Sequence, residues 1–165
     1  MKKLFWLLAT VALGNSGAIA QEKLLETREL KFIYYDIGGA TIGEILNQLN
    51  DNSLIDTWAN TSTILEMTAD CKVGFKAKVI MPKLVHPETL SEEDRREVVR
   101  MIEAIKQHEM RHVYIGLYYA EEVKRDGCPE DRSYLLDYWQ SKGDELDDRT
   151  GGGYKDGTHL FGKIK

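Results

Sequence analysis

The sequence has 165 residues, of which 22 are basic and 27 acidic, with a net charge of −5 and a hydrophobic content of 42%. This length fits one domain with a packed core, which excludes a disordered acidic chain. The negative charge argues against nucleic acid as a partner. With two cysteines and no CxxC pair, the chain is neither a disulfide-dense miniprotein nor a cysteine-cluster zinc finger.

The first twenty residues have the layout of a secretory signal peptide. A basic start at residues 2–3 precedes an apolar run over 4–13, and a small-x-small cleavage site ends at Ala20. The run is shorter than the roughly 20 apolar residues of a membrane-spanning helix. We therefore expect residues 1–20 to be removed, a periplasmic or secreted location, and a single domain over 21–165 with no stable membrane insertion.

The two cysteines, Cys71 and Cys128, are the only possible intramolecular pair. Since export leads to an oxidising compartment, we expect a disulfide between them in preference to two buried free thiols. The bridge would close a long loop and stabilise the fold by about 4 kcal/mol in the chain-entropy model.

The first half of the mature chain is predicted to form a small sheet. Residues 31–37 are rich in β-branched and aromatic side chains and predict a strand. Residues 41–44 have the spacing of a capping box at the start of a short helix. After a turn at 51–56, strand-like residues at 58–68 and a clear apolar–polar alternation over 72–81 predict two further strands.

The second half is predicted to be helical. Ser91 is the expected N-cap of a helix of about 35 residues, or two helices nearly in line, that ends at Gly127. Pro129 stands where a second helix would begin, with an apolar face formed by Tyr134, Leu135, Tyr138, Trp139 and Leu146. A glycine-rich tail follows from about residue 150. Because strands precede helices, we expect an α+β fold with a small antiparallel sheet packed on the long helix and a second C-terminal helix.

The long helix contains His108-Glu109-Met110-Arg111-His112, an HExxH motif. Residues i and i+4 lie one above the other on a helix, so both imidazoles can bind one metal ion. A catalytic zinc takes three protein ligands and keeps one position for water, from which Glu109 can accept a proton. The histidines also continue the apolar stripe, where polar groups are costly unless satisfied. These features favour Zn2+ bound by His108 and His112 over a pair of hydrogen-bonded core histidines.

The third ligand is open at this stage. The metzincin extension of the motif fails because Ile115 and Tyr118 occupy its glycine and histidine positions. Asp147 and His159 are the leading candidates. Further carboxylates downstream of the motif are Asp137, Glu145 and Asp148. His86, in a loop flanked by prolines, is expected at the surface.

These motifs together resemble a bacterial family of predicted secreted zinc-dependent proteases, classed as a domain of unknown function. Nearly the whole mature chain takes part in the resemblance. It includes the Tyr-Tyr-Asp-Ile-Gly-Gly-Ala-Thr segment at 34–41, the stretch from Cys71 to Pro82, and the HExxH helix followed by Cys128. The resemblance implies a zincin-like metallopeptidase domain.

The tail both fits and departs from the family pattern Asp-x-x-Thr-x-His-Gly. Asp147 and Thr150 match it, but Gly152 stands where the family has a histidine. In this chain, Asp147 or His159 is then left to complete the site. This difference from the family pattern is also compatible with a family member that binds a metal ion but is not catalytic.

The sequence therefore predicts an exported zinc-dependent peptidase acting on a peptide or protein substrate, with Glu109 as the catalytic base. Nearby tyrosines are candidate donors to the oxyanion: Tyr114, Tyr118 and Tyr119. One alternative is a non-catalytic, metal-binding exported protein of the same fold that acts as a binding module. A second is an exported module whose histidines are structural.

Overall fold

The computed structural model describes residues 25–51 and 57–160. The strands in this part are β1 (Thr27–Ile37), β2 (Asn60–Met67) and β3 (Val73–Leu84). The α-helices are α1 (Ile42–Asp51), α2 (Glu92–Arg125) and α3 (Ser133–Thr150), and short 3₁₀ turns lie at Pro87–Thr89 and Tyr154–Asp156. The predicted signal peptide, its cleavage site and residues 52–56 of the predicted turn lie outside the described residues.

The three strands form one sheet in the order β1-β3-β2. The α+β class is confirmed, but the sheet is mixed, not wholly antiparallel as expected. β2 pairs with β3 antiparallel, whereas β1 pairs with β3 in parallel, with Thr27 opposite Gly74 and Ile37 opposite Leu84. The reason is the connection: α1 and β2 lie between β1 and β3 in the chain, so β3 returns in the direction of β1.

The core lies between the sheet and α2. β3 is the central strand, and Val73, Phe75, Ala77 and Val79 are buried, as the alternation predicts. From Val79 to Pro82 every residue of β3 is buried, because the middle strand of the sheet is covered on both faces there. α2 contributes the apolar side chains of Val98, Met101, Ile105 and Val113 to the same core.

α2 is a single continuous helix of 34 residues, which is the first of the two predicted arrangements. The hydroxyl oxygen of Ser91 accepts a hydrogen bond from the backbone N–H of Asp94 at 3.1 Å, which satisfies one of the free donors of the first turn. Three acidic residues in that turn and two basic residues in the last turn complement the helix dipole. The helix ends before Gly127, which has a positive φ of 73°.

α3 begins later than predicted, at Ser133 instead of Pro129. The carboxylate of Asp131 accepts hydrogen bonds from the backbone N–H and the hydroxyl of Ser133 and so organises the start of the helix. Leu135 and Leu146 are buried as expected, but Tyr134 and Tyr138 are 55% and 50% exposed. Much of this helix surface therefore faces solvent.

Cys71 and Cys128 form the predicted disulfide, with Cα atoms 5.6 Å apart. It joins the segment just before β3 to the segment just after α2. Such a bridge is typical of proteins outside the reducing cytoplasm. No helix in the described part of the chain has an apolar stretch long enough to span a bilayer.

Candidate metal centre

The HExxH motif lies in the middle of α2, on the side that faces the sheet and α3. His108 and Glu109 are 5% and 8% exposed, and the side chain of His112 is 20% exposed. The two imidazole rings meet edge to face with centroids 5.0 Å apart. The i, i+4 spacing therefore brings both rings to one point, as the sequence predicts.

Asp147 on α3 reaches the same point. Its Oδ1 lies 3.1 Å from Nε2 of His108 and 3.1 Å from Nε2 of His112, and the two Nε2 atoms are 3.3 Å apart. Ligand atoms about 2.0–2.1 Å from a tetrahedral metal ion are separated by about 3.3 Å. The three donor atoms therefore have the mutual spacing of a metal-ligand set, and these residues can hold a metal ion.

The surroundings of His108 also fit a cation. Its Nε2 faces Asp147, and its Nδ1 faces Oδ2 of Asp156 at 3.0 Å. A neutral imidazole has only one N–H, so it can donate to only one of the two carboxylates. The other contact would set a nitrogen lone pair against a carboxylate unless a positive charge lies there. A metal ion between the Nε2 atoms and Asp147 supplies that charge and leaves Nδ1–H to Asp156.

The remaining predicted ligands lie elsewhere. His159 is not part of the three-residue group; its ring stacks on Tyr154 with centroids 3.9 Å apart, and both rings line the same cavity. In the described part of the chain, Asp137, Glu145 and Asp148 do not join the group either, and Glu145 pairs with Lys142 at 2.8 Å. His86 is exposed, as expected, beside Glu88.

Glu109 has a partner that sequence reasoning missed. The hydroxyl of Thr61 on β2 donates to Oε2 of Glu109 at 2.8 Å. β2 and α2 are close enough that a Cβ added at Gly116 would lie 2.7 Å from the side chain of Thr63. Burial raises the pKa of the Glu109 carboxyl above its usual value, and the Thr61 hydrogen bond opposes that rise. Thr61 thus fixes the orientation of a buried carboxyl beside the metal-ligand set.

Asp156 is a second residue of the candidate site that was not predicted from the sequence. It lies in the 3₁₀ turn after α3, and its Oδ2 also accepts a hydrogen bond from the guanidinium of Arg111 at 2.7 Å. Burial alone would raise the pKa of Asp156, but the hydrogen bonds from His108 and Arg111 outweigh it and lower the pKa. This carboxylate fixes the ring orientation of His108 and directs its Nε2 toward Asp147 and His112.

The glycine-rich tail is held over the site by α2. The guanidinium of Arg100 donates to the backbone oxygens of Gly157 and His159 at 2.7 and 2.6 Å. Gly153 has φ +84°, and a Cβ there would lie 2.8 Å from Thr158 and 3.3 Å from the His108 ring. Residues 151–160 of the predicted tail therefore cover the site and bring Asp156 to His108.

The metal-ligand set opens into a cavity of about 570 Å³ between β2, α2, α3 and the tail. Gly152 lines this cavity, and a Cβ added there meets no other atom within 4 Å. The three tyrosines predicted as oxyanion donors do not line it, and Tyr114 and Tyr118 are about half exposed. Tyr154 in the tail does line it.

We expect replacement of Asp156 by Asn to weaken zinc binding by the metal-free protein about 10- to 100-fold, because the amide carries no charge to hold His108. Competition with a chelating dye measures this affinity. Asp148→Asn is the matched control, because it also removes one negative charge near the site but from a side chain outside the ligand set. Equal affinities in the two variants would show that Asp156 contributes only net charge.

The fold and the site define a class: an α+β domain in which an HExxH helix and a carboxylate from the next helix form a possible metal site. The chain belongs to the bacterial family described as "Bacterial protein of unknown function (DUF922)", which matches residues 32–128. The matched region runs from β1 to Cys128 and contains the HExxH motif and both cysteines. No curated protein and no solved structure matches the chain.

Proposed function

We propose that the protein is an exported zinc-dependent metallopeptidase that hydrolyses peptide bonds. The observation that carries this proposal is the convergence of His108, His112 and Asp147, with their donor atoms 3.1–3.3 Å apart and Glu109 buried beside them. Two imidazoles and one carboxylate are the ligand type of several catalytic zinc sites.

The buried glutamate is what favours hydrolysis over other uses of this ligand set. Two histidines and a carboxylate can also bind iron for oxygen chemistry. An HExxH site differs because its glutamate lies next to the first ligand and is available as a base. Zinc, when bound, activates a water molecule and polarises the substrate carbonyl.

The side chains of the protein have separate tasks in the proposed reaction. The Glu109 carboxylate takes a proton from the attacking water and returns it to the leaving amine. Thr61 holds that carboxylate in place, and Asp156 holds His108. The cavity of about 570 Å³ beside them, lined by residues of β2, α2, α3 and the tail, would take the peptide.

The disulfide supports the exported part of the proposal, since such bridges persist outside the cytoplasm. The predicted signal peptide over residues 1–20 points the same way. A periplasmic or secreted protein of this kind would act on peptide or protein substrates in the same compartment.

Metal analysis tests the proposal most directly. Protein purified from the compartment to which it is exported, without chelators, is expected to contain about one zinc per chain by elemental mass spectrometry. The double variant His108→Ala/His112→Ala, which removes both nitrogen ligands, is expected to contain none. Wild-type protein that carries iron in place of zinc, or no metal, would contradict the assignment.

A further inference from the structure

A second cavity of about 460 Å³ lies next to the candidate metal centre. It shares three lining residues with the first cavity: Thr61, His112 and Gly143. These are the residue that holds Glu109, one of the candidate ligands, and a glycine on α3. The two cavities therefore meet at the metal-ligand set, and a molecule bound there can extend into both.

Polar and apolar groups both line the second cavity, and its polar residues include Arg132 and Gln140. The apolar part of the wall comes from four elements: Ile64 and Leu65 on β2, Phe75 on β3, Ile115 on α2, and Leu136 and Trp139 on α3. Ile64 and Leu136 are 58% and 40% exposed, so this apolar wall is open to solvent. Exposed apolar surface of this kind gains free energy when an apolar group covers it.

The indole of Trp139 gives this wall a fixed shape. Its Nε1–H donates to the Glu122 carboxylate, and its ring contacts those of Tyr118 and Tyr138, with centroids 6.0 and 5.2 Å away. A ring held on these sides loses little side-chain freedom when a ligand binds. The cavity is thus preformed.

Gly143 leaves the passage between the two cavities open. A Cβ added at Gly143 would lie 3.7 Å from Nδ1 of His112, which is ordinary van der Waals contact. A larger side chain at this position would project into the junction that both cavities share. A glycine in the interior of a helix lowers helix stability relative to alanine, so its presence in α3 calls for a local reason. The open passage is such a reason.

We infer that the second cavity is a specificity pocket that takes a large apolar side chain of the peptide substrate, next to the bond that is cleaved. This inference rests on the proposed peptidase function and names its substrate class. Peptides with Leu, Ile, Met, Phe or Tyr beside the scissile bond would be preferred over those with Gly there. The preference follows from apolar surface that only a large side chain can cover.

Binding of N-acetylated amino-acid hydroxamates to the zinc-loaded protein tests the pocket, with calorimetry as the readout. The hydroxamate group chelates zinc, so the glycine compound reports on the metal alone and the leucine and phenylalanine compounds add the side chain. We expect the leucine and phenylalanine compounds to bind about 10- to 100-fold more tightly than the glycine compound. The aspartate compound tests the part of the wall that Arg132 lines, and we expect it to bind less tightly than the leucine compound.

Two variants test whether the gain in affinity of the leucine compound comes from the second cavity. Gly143→Leu is expected to lower the ratio of leucine to glycine affinity to near one by filling the junction, and Leu136→Glu is expected to lower it by placing a carboxylate in the wall. Ser141→Leu is the matched control, because Ser141 is exposed on the same helix and lines neither cavity. It is expected to leave the ratio unchanged.

These binding measurements distinguish failure of the specificity pocket from failure of the proposed peptidase function. If the glycine compound binds and the apolar compounds gain nothing, or if the aspartate compound binds best, the pocket is overturned and the peptidase proposal stands. If the glycine compound does not bind to zinc-loaded protein, an accessible metal centre is contradicted and the pocket falls with it. A gain for leucine that both pocket variants abolish and Ser141→Leu retains supports the inference.

Discussion

Glu109→Gln is expected to lower kcat/KM for peptide hydrolysis by about 10²- to 10⁴-fold while zinc content stays at the wild-type level. Glutamine has the same shape and can still accept the hydrogen bond from Thr61, which lies 2.8 Å from Oε2 in the wild-type protein. It cannot take a proton from water, so only the chemical step is lost. Cleavage of a fluorogenic peptide mixture, with zinc measured in the same sample, gives both quantities.

Two further variants test whether the loss of activity is specific to the Glu109 carboxylate. Glu103→Gln removes an exposed carboxylate of the same helix that contacts Gln107, and we expect it to keep full activity. His108→Ala is expected to lose both zinc and activity. If Glu109→Gln retains full hydrolysis, Glu109 is not the base. A cellular phenotype lost in His108→Ala but kept in Glu109→Gln would favour the non-catalytic metal-binding alternative.

Removal of the disulfide is expected to lower the free energy of unfolding by about 4 kcal/mol. The bridge joins residues separated by 57 positions, so its loss releases a long loop in the unfolded chain. Chemical denaturation of the Cys71→Ser/Cys128→Ser double variant, compared with the oxidised wild-type protein, measures the difference.

The reduced wild-type protein is the control for this experiment. Addition of a thiol reductant should shift its unfolding midpoint toward that of the double variant and leave the double variant unchanged. A difference below about 1 kcal/mol between oxidised wild type and double variant would mean that the unfolded chain is compact without the bridge.

The parts of the site within one element could be predicted from the sequence. The i, i+4 spacing of His108 and His112 fixes their common direction because a helix has one geometry. The N-cap at Ser91 and the 34-residue helix follow from local signals of the same kind. The disulfide was predicted because only one pair of cysteines exists.

The parts that depend on packing between elements could not be fixed in this way. The sequence offered Asp147 among several carboxylates, and only the position of α3 against α2 brings its Oδ1 to both histidines. Thr61 and Asp156 each lie 48 residues from their partners in the motif, and nothing in their local sequence marks them. The parallel pairing of β1 with β3 could not be predicted for a related reason. The alternation of apolar and polar residues indicates which face of a strand is buried, but not whether the strand pairs in parallel or antiparallel.

The tail does not supply a histidine to the candidate metal-ligand set in the described part of the chain. A Cβ at Gly152, where the resemblance led us to expect a histidine, would meet open space, whereas Oδ1 of Asp147, five residues before it, lies 3.1 Å from Nε2 of both His108 and His112. His159 stacks on Tyr154 outside the ligand set. The candidate site thus has three ligand groups without a tail histidine.

The positions of these groups along the chain also set the order in which the centre can form. His108 and His112 come from α2, Asp147 from the end of α3, and Asp156 from the turn after it. During synthesis, the three strands and the whole of α2 are made before Asp147 is added. A chain that stops before this point has only two of the three ligand groups. Metal binding that needs all three ligand groups therefore begins only after α3 has been made as far as Asp147.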